Sequence, residues 1–110
     1  MRSFAPAKVA FTVSPSDSTT NTPFLVQPVV KVQDLGGNTV TSDTTSVTLT
    51  ITTPAGAILN CTGGNPLPTV NGVAAFTGCS IDLANTYSLH AADLTLTPGT
   101  SAAFNISSGG

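Results

Sequence analysis

Residues Val30-Lys31-Val32-Gln33-Asp34-Leu35-Gly36-Gly37-Asn38-Thr39-Val40 run as an alternating strand into an Asp and a Gly-Gly-Asn turn, then out into a second strand. Gly, Asn and Asp accept the positive φ that a tight strand-to-strand connection requires, whereas valine favours the pleated, half-buried surface. The stretch therefore commits this part of the chain to antiparallel β structure. It carries architecture rather than chemistry.

The period stays at two almost everywhere else. Val9, Phe11 and Val13 alternate with Lys8, Ala10 and Thr12, which predicts a first strand, and residues 14–23 form a polar connection. Strand character resumes from Phe24 to Gln33, with Pro28 implying an edge or a bulge in its middle. Val47, Leu49 and Ile51 face one way and Ser46, Thr48, Thr50 and Thr52 the other, an apolar face backed by hydroxyls. Pro54-Ala55-Gly56 ends that strand, Ala57 to Thr62 is a short strand, and Gly63 to Pro68 a loop. Asn71-Gly72 predicts a two-residue hairpin between Thr69 and Ala74. Tyr87, Leu89 and Ala91 give another alternating face. Residues 94–100 turn around Pro98-Gly99, and Ala102, Phe104 and Ile106 close the domain. No segment holds the i, i+3, i+4, i+7 apolar spacing of a helix beyond about a turn. Seven or eight short strands punctuated by turn signals predict an all-β, Ig-like Greek-key sandwich over residues 7–106. Residues 1–6 read as a leader or linker, and 107–110, Ser-Ser-Gly-Gly, as a flexible linker.

Composition narrows the function. With 110 residues the chain suits one domain and buries about 65% of the surface its unfolded form exposes, enough for a sandwich core without a metal. It has three basic residues, five acidic ones and a net charge of −2. That excludes the cationic stripe needed to bind nucleic acid or anionic lipid. No stretch is apolar enough for membrane insertion, and residues 1–15 lack the plan of a signal peptide, so an exported protein would carry its signal and any anchor on a longer parent chain. Low net charge combined with ample apolar content argues against disorder.

Three stretches together resemble the bacterial Ig-like domains of the invasin and intimin type, which occur as tandem repeats in bacterial surface proteins. They are Val30 to Val40, of form V-x-V-x-D-x-x-G-N-x-V; Thr69-Val70-Asn71-Gly72-Val73-Ala74-Ala75-Phe76-Thr77; and Ala84-Asn85-Thr86-Tyr87-Ser88-Leu89-His90-Ala91. The chain departs from many such repeats in its cysteine pair and in Asn85, where a Gly often precedes the Thr-Tyr. The resemblance implies a spacer or adhesive module with neighbouring repeats as partners, an extracellular location, and no catalytic residues to transfer.

Cys61 and Cys79 are the two cysteines. A disulfide between them is worth roughly 3 kcal/mol through restriction of the unfolded chain and fits an oxidising location. The competing reading is two buried small hydrophobes in a reducing compartment. Two thiols and one His without a C-x-x-C knuckle fall short of a zinc site, and no cofactor is expected. Asp34, Asn38 and Asp43 offer oxygen ligands to calcium, though Asx turn capping explains the same residues. Lys8 and Asn105 sit on the first and last strands, where some surface Ig-like folds form a lysine–asparagine crosslink; with no glutamate in the chain, an aspartate would have to shuttle the protons. Tyr87 stands where sandwiches place a corner tyrosine. Ser88 and His90 share a strand face but lack a positioned acid or an oxyanion turn. Asn60-Cys61-Thr62 and Asn105-Ile106-Ser107 match the glycosylation acceptor pattern, which arises often by chance.

The leading expectation is a non-enzymatic spacer module. Two alternatives remain: a binding module that grips a glycan or protein through pole loops or an edge strand, and an Ig-like decoration or assembly domain of a phage or filament.

Overall fold

The computed structural model describes residues 5–51, 57–94 and 96–108. Thr52, the Pro54-Ala55-Gly56 break and the terminal Gly109-Gly110 lie outside them, as do residues 1–4 of the leader. Among the described residues the regular elements are all strands: β1 (Lys8–Val13), β2 (Ser18–Thr19), β3 (Val29–Gln33), β4 (Ser46–Ile51), β5 (Leu59–Cys61), β6 (Leu67–Pro68), β7 (Val73–Ala75), β8 (Cys79–Ile81), β9 (Asn85–Tyr87), β10 (Leu89–Ala92), β11 (Gly99–Thr100) and β12 (Phe104–Ser107).

Backbone hydrogen bonds join these segments into two sheets. In the first, β1 pairs with β3 and β3 with β7. The chain continues from β7 into β8 alongside the segment before β3, with Phe76 N donating to Pro28 O and Phe24 N to Cys79 O, and β8 pairs with β5. In the second sheet β4 lies between β6 and β10. β9 and β10 are one strand interrupted at Ser88, running antiparallel to β12 and β11. The sheet orders are therefore β1–β3–β7/β8–β5 and β6–β4–β9/β10–β11/β12. With the joined segments counted as single strands, this is the Greek-key order of an Ig-like sandwich.

The strands form where alternation lets one face leave water. Val47 and Leu49 of β4 are buried while Ser46, Thr48 and Thr50 are exposed. Tyr87, Leu89 and Ala91 are buried in turn, and with Val9, Val30, Val32, Phe76, Ile81, Phe104 and Ile106 they make one core between the sheets. Phe24 packs edge-on to Phe104, with ring centroids 5.2 Å apart.

The structure departs from the sequence reading in several places. Ala102 is exposed and Ser101 takes the inward place, its Oγ accepting from Leu89 N at 2.9 Å. A bulge between the Thr100–His90 and Phe104–Tyr87 pairs shifts the register by one residue. β3 starts at Val29, not Phe24, because Pro28 has no N–H to offer and serves the sheet through its carbonyl. The loop read at 63–68 contains β6, entered through a cis Asn65–Pro66 bond. The polar connection at 14–23 contains β2, which pairs parallel with β12, and Ser107 belongs to β12.

The first segment of the chain thus serves both sheets. β1 pairs with β3, while Val9 N donates to Thr97 O and Thr97 N to Ala7 O; past buried Pro15, β2 lies against β12. One pole of the sandwich gathers the start of β1 with residues 34–45, 69–72 and 93–98, and the other gathers residues 19–25 and 82–85 with the end of β12. Asn71 and Gly72 have φ of 52° and 77°, the left-handed pair of a two-residue hairpin turn. Only glycine fits at the second position, since a Cβ there would lie 2.3 Å from Val40 O.

Candidate functional site

Cys61 and Cys79 are directly opposed in the β5–β8 pair and joined by a disulfide, with Cα atoms 3.8 Å apart. Beyond them Cys61-Thr62-Gly63 runs against Thr77-Gly78-Cys79, with Thr62 N donating to Gly78 O and Gly63 N to Thr77 O. Each threonine covers the glycine opposite: a Cβ on Gly63 would lie 1.9 Å from Thr77 Oγ1, and one on Gly78 would lie 1.8 Å from Thr62 Oγ1. The Thr-Gly dipeptide next to each cysteine was the sequence signal for this clasp, and pattern reading passed over it. Gln27 braces the same place, its Oε1 accepting from Cys79 N at 2.9 Å and its Nε2 donating to Phe24 O at 2.8 Å.

Asp34 is a turn cap. Its Oδ1 accepts from Gly36 N at 2.9 Å and Asn38 N at 3.0 Å, and its backbone N donates to Asn38 O. The Asn38 backbone N–H, more than any other group, holds the Asp34 carboxyl below the ordinary carboxylate range, with the Asn38 side chain and the N–H groups of Gly36 and Gly37 adding to it against the opposing effect of burial. Asp43 turns to other partners, Thr45 and Thr69. The proposed calcium oxygens are thus divided between two hydrogen-bonded clusters, and among the described residues no group of three or more His, Cys, Asp or Glu side chains is arranged to hold a metal ion.

Lys8 and Asn105 are not brought together. Lys8 lies beside Gln33 and Thr97. Asn105 lies farther along that last strand, so at roughly 3.3 Å per residue the two are on the order of 25 Å apart, beyond the reach of a lysine side chain. Asn105 instead accepts from Thr86 Oγ1 at 2.6 Å, and its N donates to Asp17 Oδ1 at 2.8 Å. Tyr87 is 1% exposed and its Oη donates to Leu83 O at 2.6 Å, closing the corner before β9. His90 stands between Thr50 and Thr100 in register, so neither sheet neighbour is a carboxylate that could orient it as a base.

A further polar cluster lies at the pole where β1 starts, and sequence reasoning saw only one member of it. Asp43, Thr69 and Asp93 are buried, Asp93 to 1% exposure. Thr45 Oγ1 lies 2.5 Å from Asp43 Oδ1 and also 2.5 Å from Asp93 Oδ2. Asp43 Oδ1 accepts in addition from Thr45 N at 2.8 Å, and Thr69 Oγ1 lies 3.1 Å from it and 2.9 Å from Thr45 O. Asp93 Oδ1 is buried and has no hydrogen-bond partner among the described residues. Burial first, and then the Asp43 charge, push the Asp93 carboxyl up, and the Thr45 hydrogen bond opposes them. The cluster fastens three loops together.

Comparison of the chain with protein-family models, with curated proteins and with solved structures finds no match.

Proposed function

We propose that the chain is a non-catalytic structural bead, one Ig-like module of a tandem array in a bacterial extracellular or cell-surface protein. The observation that supports this reading most is polarity. β1 starts at the pole built from residues 34–45, 69–72 and 93–98, and β12 ends at the opposite one, so a chain entering one bead leaves at its far end. Both poles also expose apolar side chains, Leu35, Val70 and Leu94 at one and Leu25, Ile58 and Leu83 at the other, with Leu35 and Leu25 at 90% and 91% exposure. Leucine tips at both ends suit contact with a preceding and a following copy. The disulfide and the Ig-like order supply a bead that resists unfolding.

The test is a chain of two copies in tandem, compared with the single copy by small-angle scattering and urea unfolding. The expected result is a rod about twice as long as one copy, with a higher unfolding midpoint that Leu35→Asp with Leu94→Asp in the second copy abolishes. Two copies that reorient independently and unfold at the single-copy midpoint overturn the array reading. A glycan partner has less support: among the described residues Phe24, Phe76, Tyr87 and Phe104 are buried and Phe11 is partly buried against the core, which leaves little aromatic surface for a sugar ring.

A further inference from the structure

A threonine hydroxyl carries one hydrogen, yet Thr45 Oγ1 lies at 2.5 Å from an oxygen of each of two carboxyl groups, Asp43 and Asp93. It can donate to one of them only. Were both carboxylates ionised, the second contact would set oxygen lone pairs against each other in a place almost closed to water. A proton on Asp93 Oδ2 removes the conflict: Asp93 donates to Thr45 Oγ1, and Thr45 donates to Asp43 Oδ1. The direction follows from the other partners. Asp43 Oδ1 already accepts from Thr45 N, which suits the ionised end, whereas among the described residues Asp93 receives no N–H donor and its Oδ1 is unpartnered, which a neutral acid tolerates far better than a carboxylate.

We propose that Asp93, Thr45 and Asp43 form an acid-held latch, one proton shared over two carboxyl groups, that fastens the chain entering β4 to the chain leaving β10 and tightens as pH falls. The latch spans more than two segments, since Gly72 N donates to Asp43 O and Thr69 Oγ1 lies within hydrogen-bond distance of the Asp43 and Thr45 carbonyls, either of which can take its one hydrogen. It therefore sets the loops that carry Val70 and Leu94, whatever those side chains meet. The direction of the Asp93 shift agrees with the geometry. Among the described residues Asp43 is the charge that acts on Asp93, and Lys8 on β1, Lys31 on β3, Asp34 in the following turn and His90 on β10 supply no offsetting charge. An acid whose folded pKa is raised holds its proton in the folded state over a wider range. Its contribution to stability is complete below the unfolded value of 3.8 and is lost as pH rises through the folded value.

The test is a carbon-13 carboxyl titration of the whole disulfide-bonded chain by NMR, paired with urea unfolding of the wild type and Asp93→Asn over the same pH range. The expected result is an Asp93 midpoint above 3.8. In the window between that value and the midpoint the Asp93 contribution raises the wild-type unfolding constant, by up to about tenfold per pH unit. Asp93→Asn, whose amide donates to Thr45 in the proton's place, removes that dependence. An Asp93 midpoint at or below 3.8 overturns the proposal, and it needs only the wild-type protein, so it stands even where the variant folds poorly. Calcium chloride that shifts the carboxyl signals of Asp43 and Asp93 together and stabilises the wild type but not Asp93→Asn also overturns it, because a cation rather than a proton would then join the two groups.

Discussion

At the residue scale, two aspartates and a tyrosine show how neighbours set the task of a side chain. Asp34 and Asp93 are both buried aspartates, but Asp34 faces backbone N–H groups and Asp93 faces a hydroxyl and another carboxylate. Their effects on stability have opposite signs. The depressed Asp34 carboxyl contributes stability that is present above 3.8 and lost as pH falls through its folded value. Asp34→Ala should therefore flatten the acid side of the stability profile and speed hydrogen exchange at the Gly36 and Asn38 amides, while the dependence due to Asp93 above 3.8 persists. Tyr87 fills the core with its ring and spends its hydroxyl on Leu83 O. Tyr87→Phe keeps the packing against Phe104 and loses that bond, so urea unfolding should show a loss of about 1 kcal/mol with an unchanged slope. Burial, and after it the Asp82 charge, raise the Tyr87 phenol above 10.0, so the wild type also loses stability as pH climbs past that value, and the phenylalanine variant does not.

At the scale of elements, the alternating segments were legible and the joints between them were not. Val47 with Leu49, and Tyr87 with Leu89 and Ala91, face the core as period two requires, because neither strand gains an extra residue of its own. Ala102 fails the same rule because one added residue in the last strand exchanges its two faces, and a bulge leaves no mark in hydrophobic alternation. Asn65 was invisible for another reason. Its side-chain amide accepts from Leu49 N at 2.8 Å and donates to Leu49 O at 2.9 Å, standing in for a neighbouring strand on the edge of β4, and such mimicry depends on a fold-wide approach of distant residues. The contact between Thr45 and Asp93 spans 48 residues and was unreadable on the same ground. The β5–β8 clasp yields the element-scale prediction. Its cysteines are separated by 18 residues, and closing a loop of that size restricts the unfolded chain by about 3 kcal/mol. Urea unfolding of the Cys61→Ser, Cys79→Ser double variant should show a loss of that order, while addition of a reductant leaves the variant's own curve unmoved.

For the whole molecule, the decisive relation is between the first and last strands. From Lys8 to Thr19 the chain runs parallel to residues 97–107, paired at Lys8–Thr97 at one end and at Ser18–Ile106 and Thr19–Ser107 at the other. In the middle, where β1 turns to the other sheet, two side chains keep the seam closed: Ser14 Oγ accepts from Ala102 N at 3.1 Å, and Asp17 Oδ1 accepts from Asn105 N at 2.8 Å. A pull on the two ends of the domain therefore draws parallel segments past each other, loading these bonds together rather than opening them one by one as in a hairpin. Heat or urea instead acts on the core, to which the exposed Asp17 contributes little. Asp17→Ala combined with Ser14→Ala should consequently lower the force at which a single copy yields in end-to-end stretching, while moving the urea midpoint by no more than the loss of two exposed hydrogen bonds, about 1–2 kcal/mol in all. A pull applied between Cys-free surface sites on β3 and β7, which are antiparallel neighbours away from this seam, should give the same force in the variant and the wild type. Equal forces in the end-to-end geometry would mean that resistance resides elsewhere in the sandwich, and the seam would then serve only to hold the first segment in place.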